Sequence, residues 1–288
     1  MTVLLTGGTG FIGSRLKTRL EELGHTVRVV SRGPGGDVTW DPDAIREAVS
    51  ASDAVLHLAG ENVIGRRWTA RQKERLRESR VDTTQLLAQA VADAGPAVFV
   101  TASAIGYYGF STFRRFTERD GAGDDFLAQL SVEWEAARQP AIDAGVRTAT
   151  IRIGVVQHPG GGALGKMLLP FRLGVGGPVG SGEQWISWIH MDDLLAMFEW
   201  AIANDQVSGV YNGTAPNPAT NLAFSRALGR VLRRPAILPA PSFALRLALG
   251  EAAELLVQGQ HVLPERALAE GFEFRFPEVE PALRDLLS

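Results

Sequence analysis

The chain has 288 residues, 45% of them hydrophobic, and a formal net charge of -3 at pH 7. This is enough for one large domain, or for a domain with a smaller lobe. The weakly acidic balance gives no reason to expect nucleic acid or an anionic membrane as a partner. Cysteine is absent, which excludes disulfides and thiol nucleophiles, and the five scattered histidines show no metal-ligand spacing.

No targeting or membrane-spanning segment is recognisable. The first apolar run has no basic region before it and is interrupted at once by glycines. The apolar stretch 240–257 contains three charged residues, too many for an ordinary membrane span. We therefore expect a cytoplasmic protein that acts on a small molecule, without a membrane, a nucleic acid or a metal.

Strands and helices alternate in the first half of the chain. Short β-branched runs predict strands, and apolar residues at helical spacing predict helices between them. The predicted strands cover residues 3–6, 26–31, 54–58, 97–102 and 148–153, and the predicted helices cover 11–23, 69–94 and 125–144. This alternation indicates an α/β fold with a doubly wound parallel sheet covered on both faces.

The pattern changes near Val156. The next residues are rich in glycine and proline, with only a short apolar stretch at 167–171. Beyond them the sequence predicts, in order, a strand and helix at 186–203, a loop at 212–218, an extended segment at 235–241, a helix pair, and an aromatic strand at 271–277. We therefore expect a first domain of residues 1–157, completed by about 186–212, and a smaller lobe formed mainly by 158–288.

A glycine-rich turn separates the first strand from the first helix. Gly7, Gly10 and Gly13 are spaced three residues apart in the run from Thr6 to Gly13. Glycine permits a tight turn and a close approach of backbone to a pyrophosphate, and the free N–H groups of the helix start hold its charge. In this strand–turn–helix context the motif predicts a Rossmann-type dinucleotide site.

The end of the second strand indicates which dinucleotide binds. NAD sites usually place an Asp or Glu there, to accept hydrogen bonds from the ribose hydroxyls. This chain has Ser31 and Arg32 instead. Because an arginine pairs with a 2′-phosphate, we expect NADP(H) as the cofactor.

Motifs along nearly the whole chain resemble those of the extended short-chain dehydrogenases/reductases. More narrowly, the chain is similar to the atypical epimerase family proteins, which are grouped with the NAD-dependent epimerase/dehydratases and are sometimes labelled cell-division-inhibitor homologues. The resemblance is carried by residues 6–13, 57–62, 66–68, 79–80, 103–109, 134–135, 152–156, 169–172, 176–182, 188–193, 212–216 and 271–274.

The resemblance implies a Rossmann domain that binds NADP(H), with a small C-terminal lobe over the nicotinamide end. Carried over residue by residue, the resemblance implies which residues contact the pyrophosphate, the 2′-phosphate and the adenine-ribose side, and which residue lies in the turn that faces the nicotinamide. The implied cofactor residues are Gly7, Gly10, Phe11, Ile12, Ser31, Arg32, Leu58, Ala59, Gly60, Glu61, Arg80 and Val155.

The chain departs from the superfamily at its catalytic pair. Dehydrogenases of this kind use Tyr-x-x-x-Lys, in which the lysine lowers the tyrosine pKa. Here no lysine lies four residues after a tyrosine. The tyrosine position falls on Phe126 or Leu127, and the lysine position on Leu130 or Ser131.

Other groups are candidates for catalysis. The serine position falls on Ser103 or Ala104, depending on the alignment, and Tyr107 and Tyr108 follow the same strand. Glu61 would lie beside the cofactor. Glu135 is a candidate acid/base, although we favour its interpretation as a surface helix carboxylate. We interpret His190, Asp192 and Asp193 as a turn that caps the following helix.

Two functions follow, of different classes. The first is an NADP(H)-dependent oxidoreductase or epimerase-like enzyme, with its substrate between residues 103–108, the loop 160–162 and the loop 174–182. The second is a non-catalytic NADP(H)-dependent sensor or scaffold, which the missing catalytic pair favours. Both a monomer and a dimer are compatible with the sequence.

Overall fold

The computed structural model describes residues 1–288, and its first half alternates strands and helices as predicted. Its elements there are β1 (Thr2–Thr6), α1 (Gly13–Glu22), β2 (Thr26–Val30), α2 (Pro42–Ser50), β3 (Ala54–His57), α3 (Ala70–Glu78), α4 (Val81–Ala94), β4 (Val98–Ala104), β5 (Arg115–Phe116), α5 (Phe126–Ala136), α6 (Gln139–Asp143) and β6 (Arg147–Ile153). A 3-10 turn, Ile105–Tyr108, follows β4 directly.

The second half is less regular. Its elements are β7 (Val155–His158), α7 (Gly162–Arg172), β8 (Trp185–Ile186), β9 (Trp188–His190), α8 (Met191–Ala203), β10 (Gly209–Gly213), β11 (Ala219–Thr220), α9 (Asn221–Leu232), α10 (Ser242–Leu249), α11 (Glu254–Val257), β12 (His261–Val262), α12 (Glu265–Ala269) and α13 (Val279–Leu287). None of the helices combines the length and the apolar composition that a membrane crossing requires.

Six parallel strands form the central sheet, in the order β10-β6-β4-β3-β1-β2. Thr6 at the end of β1 pairs with Val30 of β2 on one side and with His57 of β3 on the other, so the three strands end level. β2 and β3 lie on opposite sides of β1, so the strand order reverses there, and ligands of open α/β sheets bind in the crevice at such a point. The predicted Rossmann-type α/β fold is therefore confirmed.

Strands β1, β2, β3 and β4 each contribute to two cores. Leu5 packs with α1 and α8 on one face, whereas its neighbour Leu4 packs with α2, α4 and α6 on the other. This is expected because successive side chains of a strand point to opposite faces, and a parallel sheet is buried on both. A third cluster joins α7, α9 and α13 around Phe171 and Phe224, which gives the C-terminal lobe its own core.

Two predicted helices are each broken into two. Residues 69–94 form α3 and α4, because the chain turns at Ser79 and Arg80, whose side chains serve a neighbouring loop. Residues 125–144 form α5 and α6, and Pro140 lies in the first turn of α6. Proline lacks the N–H that a continuous helix would need there.

The predicted aromatic strand at 271–277 is wrong, since these residues form no strand. The buried carboxylate of Asp193 accepts hydrogen bonds from the backbone N–H of Arg275 at 2.9 Å and of Phe276 at 3.0 Å. A side chain therefore binds the donors that a neighbouring strand would have bound. The interpretation of His190 as a helix cap is confirmed, because its ring accepts from the N–H of Asp192.

Four helices, α2, α7, α9 and α13, and the strand β10 were not predicted from the sequence. α2 carries an ordinary start signal, because Pro42 begins it and the Asp41 side chain caps it by accepting from Asp43 N and Ala44 N. α7 extends over 11 residues, where only a short apolar stretch was predicted. β10 continues to Gly213, into the predicted loop.

Candidate functional site

The glycine-rich turn lies at the carboxyl end of β1. Gly7 has a φ of 71°, and a Cβ on it would lie 2.6 Å from the carbonyl oxygen of Leu58. A Cβ on Gly13 would lie 2.2 Å from the carbonyl oxygen of Gly7, so both positions require glycine. Helix α1 has no side-chain cap, and the N–H groups of Phe11 and Ile12 bind no other group of the chain. The turn thus presents free backbone donors, which suit a pyrophosphate.

A cavity of about 560 Å³ lies between the segments that follow β2 and β3, the two strands that flank β1. Arg32 lines one side of it, and Ala59, Gly60 and Glu61 line another. Its wall also includes Arg75, Glu78 and Asp82, so both signs of charge are present. Ser31 stands at the edge, where its hydroxyl accepts from the N–H of Gly33 at 3.1 Å. The structure therefore brings the two segments predicted to bind the adenosine half together.

Arg80 lies beneath the loop that follows β3. Its Nη2 donates to the carbonyl oxygen of Glu61 at 2.9 Å, and its guanidinium lies over the ring of Trp134. Burial lowers the pKa of Arg80 to about 10. A Cβ on Gly60 would lie 3.2 Å from the Arg80 guanidinium carbon, so the loop rests closely on this side chain. Arg80 supports the cavity wall, and a direct cofactor contact stays a prediction.

A buried histidine network, which sequence reasoning missed, supports the same loop. The Thr6 hydroxyl donates to His57 Nδ1 at 2.6 Å, and His57 Nε2 lies 2.8 Å from the hydroxyl of Thr84. The Thr6 oxygen in turn accepts from the N–H groups of Leu58 and Ala59. Burial lowers the pKa of His57 to about 3, so the ring is neutral. The network fixes the backbone where the cofactor is predicted to pass.

A second network lies below the ends of β4 and β6. Glu135 binds Arg152 through both oxygens, at 2.7 Å to Nε and 2.8 Å to Nη2, and accepts from the Ser103 hydroxyl at 2.7 Å. Burial would lower the pKa of Arg152, but the hydrogen bonds and charge of Glu135 outweigh it and keep that pKa raised. Our interpretation of Glu135 as a surface carboxylate is wrong, because its side chain is only 9% exposed.

The two tyrosines differ in their surroundings. Tyr108 is buried, donates to Asn212 Oδ1 at 2.8 Å and accepts from Arg152 Nη1 at 2.9 Å. Burial raises its pKa to about 12, so its hydroxyl holds its proton firmly. Tyr107 is half-buried, and the Arg152 guanidinium carbon lies 3.3 Å from its ring centroid. No group of the chain binds the Tyr107 hydroxyl, which leaves it available to a ligand.

The positions of the usual Tyr-x-x-x-Lys pair on α5 carry no proton-transfer group. Leu127 and Leu130 are buried there, and the Ser131 hydroxyl donates to the carbonyl oxygen of Leu127 at 2.7 Å. Arg152 points into this region, whereas Arg172 is exposed at the end of α7. The geometry therefore leaves Tyr107 with Arg152 as the polar pair beside the sheet.

The remaining predicted positions lie at the same edge of the sheet. Val155 follows β6 directly, and its N–H donates to the carbonyl oxygen of Ser187 at 2.8 Å. The loop 160–162 packs on α1, since a Cβ on Gly161 would lie 2.7 Å from the ring of Phe11. Glu61 is half-buried, and no group of the chain binds its carboxylate.

Comparison with known proteins agrees with this geometry. The NAD dependent epimerase/dehydratase family matches residues 3–212, and a domain of unknown function (DUF1731) matches residues 240–286. Epimerase family protein SDR39U1 of Bos taurus is 44% identical over 296 residues, which covers 100% of both chains. The chloroplastic homologue of Arabidopsis thaliana is 43% identical and covers 100% of this chain and 87% of its own.

A solved structure is also similar. The crystal structure of human epimerase family protein SDR39U1 (isoform2) with NADPH has a TM-score of 0.92 and 42% sequence identity, and the match covers 99% of each chain. The family match extends over more than half of the chain, and it includes the glycine-rich turn, β2 and both networks. The chain therefore belongs to the NAD dependent epimerase/dehydratase family, as an extended short-chain dehydrogenase/reductase related to the epimerase family proteins.

Proposed function

We propose that the protein is an NADP(H)-dependent oxidoreductase or epimerase-like enzyme with a small substrate. The observation that carries this proposal is the cavity that joins Arg32 to the loop after β3, together with the free backbone donors in the turn after β1, the strand between β2 and β3. The human relative was crystallised with NADPH, which supports the same choice of cofactor. When bound, NADP(H) supplies hydride transfer at its nicotinamide ring.

The residues present fit this cofactor. The turn of Gly7 and Gly10, with the N–H groups of Phe11 and Ile12, would hold the pyrophosphate. Ser31 and Arg32 would hold the 2′-phosphate, because a guanidinium forms charge-assisted bonds with a phosphate. The remaining proposed contacts, along the loop after β3 and the turn after β6, are Leu58, Ala59, Gly60, Glu61 and Val155.

Tyr107 is the proton donor that we propose. Its hydroxyl is unbound in the chain, whereas the hydroxyls of Tyr108 and Ser103 are held by buried partners. Arg152 under the Tyr107 ring supplies positive charge in place of the absent lysine. As a hydroxyl acid, Tyr107 would protonate a developing alkoxide, so reduction is favoured over oxidation.

The test is a screen of small carbonyl compounds, in which NADPH consumption is followed by absorbance. With an active compound, Tyr107→Phe should lower turnover about a hundredfold or more, the usual contribution of a positioned acid. Tyr108→Phe serves as the matched control and should retain much of the activity. Equal losses in the two variants would contradict the assignment of Tyr107.

A non-catalytic NADP(H) sensor or scaffold is the second candidate. The buried leucines at the positions of the usual pair on α5 favour it. Tight binding of NADPH without turnover of any compound in a broad screen would make it the better proposal. We also propose a cytoplasmic location, and because the Arabidopsis relative is named as chloroplastic, localisation of a tagged chain decides this point.

A further inference from the structure

Exposed apolar side chains concentrate in two segments of the C-terminal lobe. Of the 13 large hydrophobic side chains that the chain leaves exposed, seven lie within residues 169–175 and 237–247. Leu173 is 69% exposed and Ile237 is 75% exposed. Single exposed hydrophobic residues need no explanation, but a contiguous group marks a contact surface.

These two segments lie side by side, so the group is contiguous. The N–H of Leu238 donates to the carbonyl oxygen of Gly176, and the N–H of Ala240 donates to that of Pro178 at 2.8 Å. A Cβ on Gly177 would lie 2.3 Å from the carbonyl oxygen of Leu238, which shows how closely the two backbones approach. We call residues 169–182 with 233–249 the lobe face.

Helix α10 belongs to the lobe face and is unusual in composition. Six of its eight residues are apolar, yet none is buried, and Phe243 and Leu247, one turn apart, are 73% and 74% exposed. A helix that is apolar on most sides is normally covered. Its end is held in place, since Arg67 Nε donates to the carbonyl oxygen of Ala248 at 3.2 Å. α10 therefore presents a fixed apolar surface.

The segments that carry these side chains contain an excess of basic residues. Residues 159–182 and 206–250 contain seven basic residues and no acidic one, although the whole chain has a net charge of -3. Arg226, Arg230, Arg233 and Arg234 line a shallow cavity of about 370 Å³ together with Ile237. Two acidic side chains from elsewhere offset part of this charge, Glu280 at Arg230 and Glu254 at Arg246. The remaining arginines have no such partner.

We propose that the lobe face docks on an anionic membrane surface. Exposed aliphatic and aromatic side chains enter the headgroup boundary, while arginines beside them bind lipid phosphates. A protein partner would be expected to meet a mixed polar rim, whereas this face combines apolar side chains with an excess of arginines. We expected no anionic membrane partner because the net charge of the whole chain is weakly negative. That total does not show that basic residues are concentrated in the lobe face.

Vesicle sedimentation of the full chain tests the proposal. Vesicles of phosphatidylcholine with phosphatidylserine should carry the protein down, vesicles of phosphatidylcholine alone should carry much less, and added salt should release it. Arg233→Glu with Arg234→Glu should lower the binding about tenfold or more. Phe243→Asp with Leu247→Asp should lower it independently, through the apolar contribution.

Matched controls lie elsewhere on the surface. Arg46→Glu with Arg119→Glu, and Leu23→Asp with Ile142→Asp, change the same residue types and should leave vesicle binding unchanged. Circular dichroism and NADPH binding confirm that each variant is folded, and if one lobe variant fails to fold, the other decides. Absence of vesicle binding, or equal losses in the controls, overturns the proposal. So does a dimer in analytical ultracentrifugation that only the lobe variants dissociate, because the face would then be a protein interface.

Discussion

At the scale of single residues, the ion pair of Glu135 and Arg152 holds together several groups of the candidate site. It connects α5 with β6, binds Ser103, and places a cation under the ring of Tyr107. A bidentate arginine–carboxylate pair is rigid, so the distances in this region depend on it. The pair thereby fixes the positive charge that lies beside Tyr107.

Replacing Glu135 with Gln should destabilise the fold by about 3 kcal/mol, because it leaves a buried arginine without its counter-charge. The free energy of unfolding in urea measures this loss. The control is Glu133→Gln on the same helix, since Glu133 pairs with Arg77 at an exposed site. That change should cost below about 1 kcal/mol. Equal losses in the two variants would show that the buried pair contributes no more to the free energy of unfolding than the exposed pair does.

The second prediction at this scale concerns Arg32. Arg32→Ala should weaken NADPH binding about tenfold or more and leave NADH binding nearly unchanged, because only NADPH carries the 2′-phosphate. Isothermal titration calorimetry with both cofactors measures this difference. Arg75→Ala is the control from the same cavity. If wild-type protein binds NADH as tightly as NADPH, the assignment of Arg32 is wrong.

At the scale of elements, the three glycines of the turn between β1 and α1 have different roles. Gly7 and Gly13 let strands and helix approach each other, whereas Gly10 is exposed, and a Cβ on it would meet only the carbonyl oxygen of Gly7, at 3.1 Å. Only Gly7 of the three has a positive φ, so the backbone conformation at Gly10 does not itself require glycine.

Gly10→Val should therefore fold and yet lose NADPH binding, because its side chain fills the space before the free donors of α1. Thermal unfolding without cofactor should change little, and calorimetry should detect no NADPH binding. Gly121→Val is a suitable control, since a Cβ there meets nothing within 4 Å. Normal NADPH binding by folded Gly10→Val would place the phosphate site elsewhere.

At the scale of the whole molecule, the buried His57 makes stability depend on pH. In the folded state its pKa is lowered to about 3 by burial and by Arg80, whereas an unfolded histidine titrates near 6.5. Between these pH values the unfolded chain binds more protons than the folded protein. The contribution of the neutral His57 to the free energy of unfolding is therefore complete above about pH 6.5 and is lost as the pH falls towards 3. Burial also lowers the pKa of His158, His190 and His261, which act in the same direction.

The expected result is a free energy of unfolding that decreases more steeply with acid in the wild type than in His57→Gln. One proton accounts for a difference in slope of up to about 1.4 kcal/mol per pH unit. Urea unfolding at a series of pH values measures both slopes. Parallel slopes would show that His57 is protonated in the folded protein.

Much of this architecture is predictable from local signals. The glycine spacing, the arginine after β2 and the alternation of strands and helices each depend on a few neighbouring residues. Local sequence also carried a signal for α2, in Asp41 and Pro42, that was overlooked. The errors occurred where distant residues intervene, as at 271–277, where Asp193 replaces a strand partner.

The sequence by itself determined the Rossmann-type fold, the glycine turn and the position of Arg32 after β2, because turn geometry and strand periodicity are local properties. Only the tertiary structure decided that Glu135 is buried against Arg152, that Tyr107 rather than Tyr108 keeps a free hydroxyl, and that Arg80 supports a loop. Those outcomes depend on which side chains meet across packed elements. Burial and partner choice are set by that packing, and spacing along the chain does not encode them.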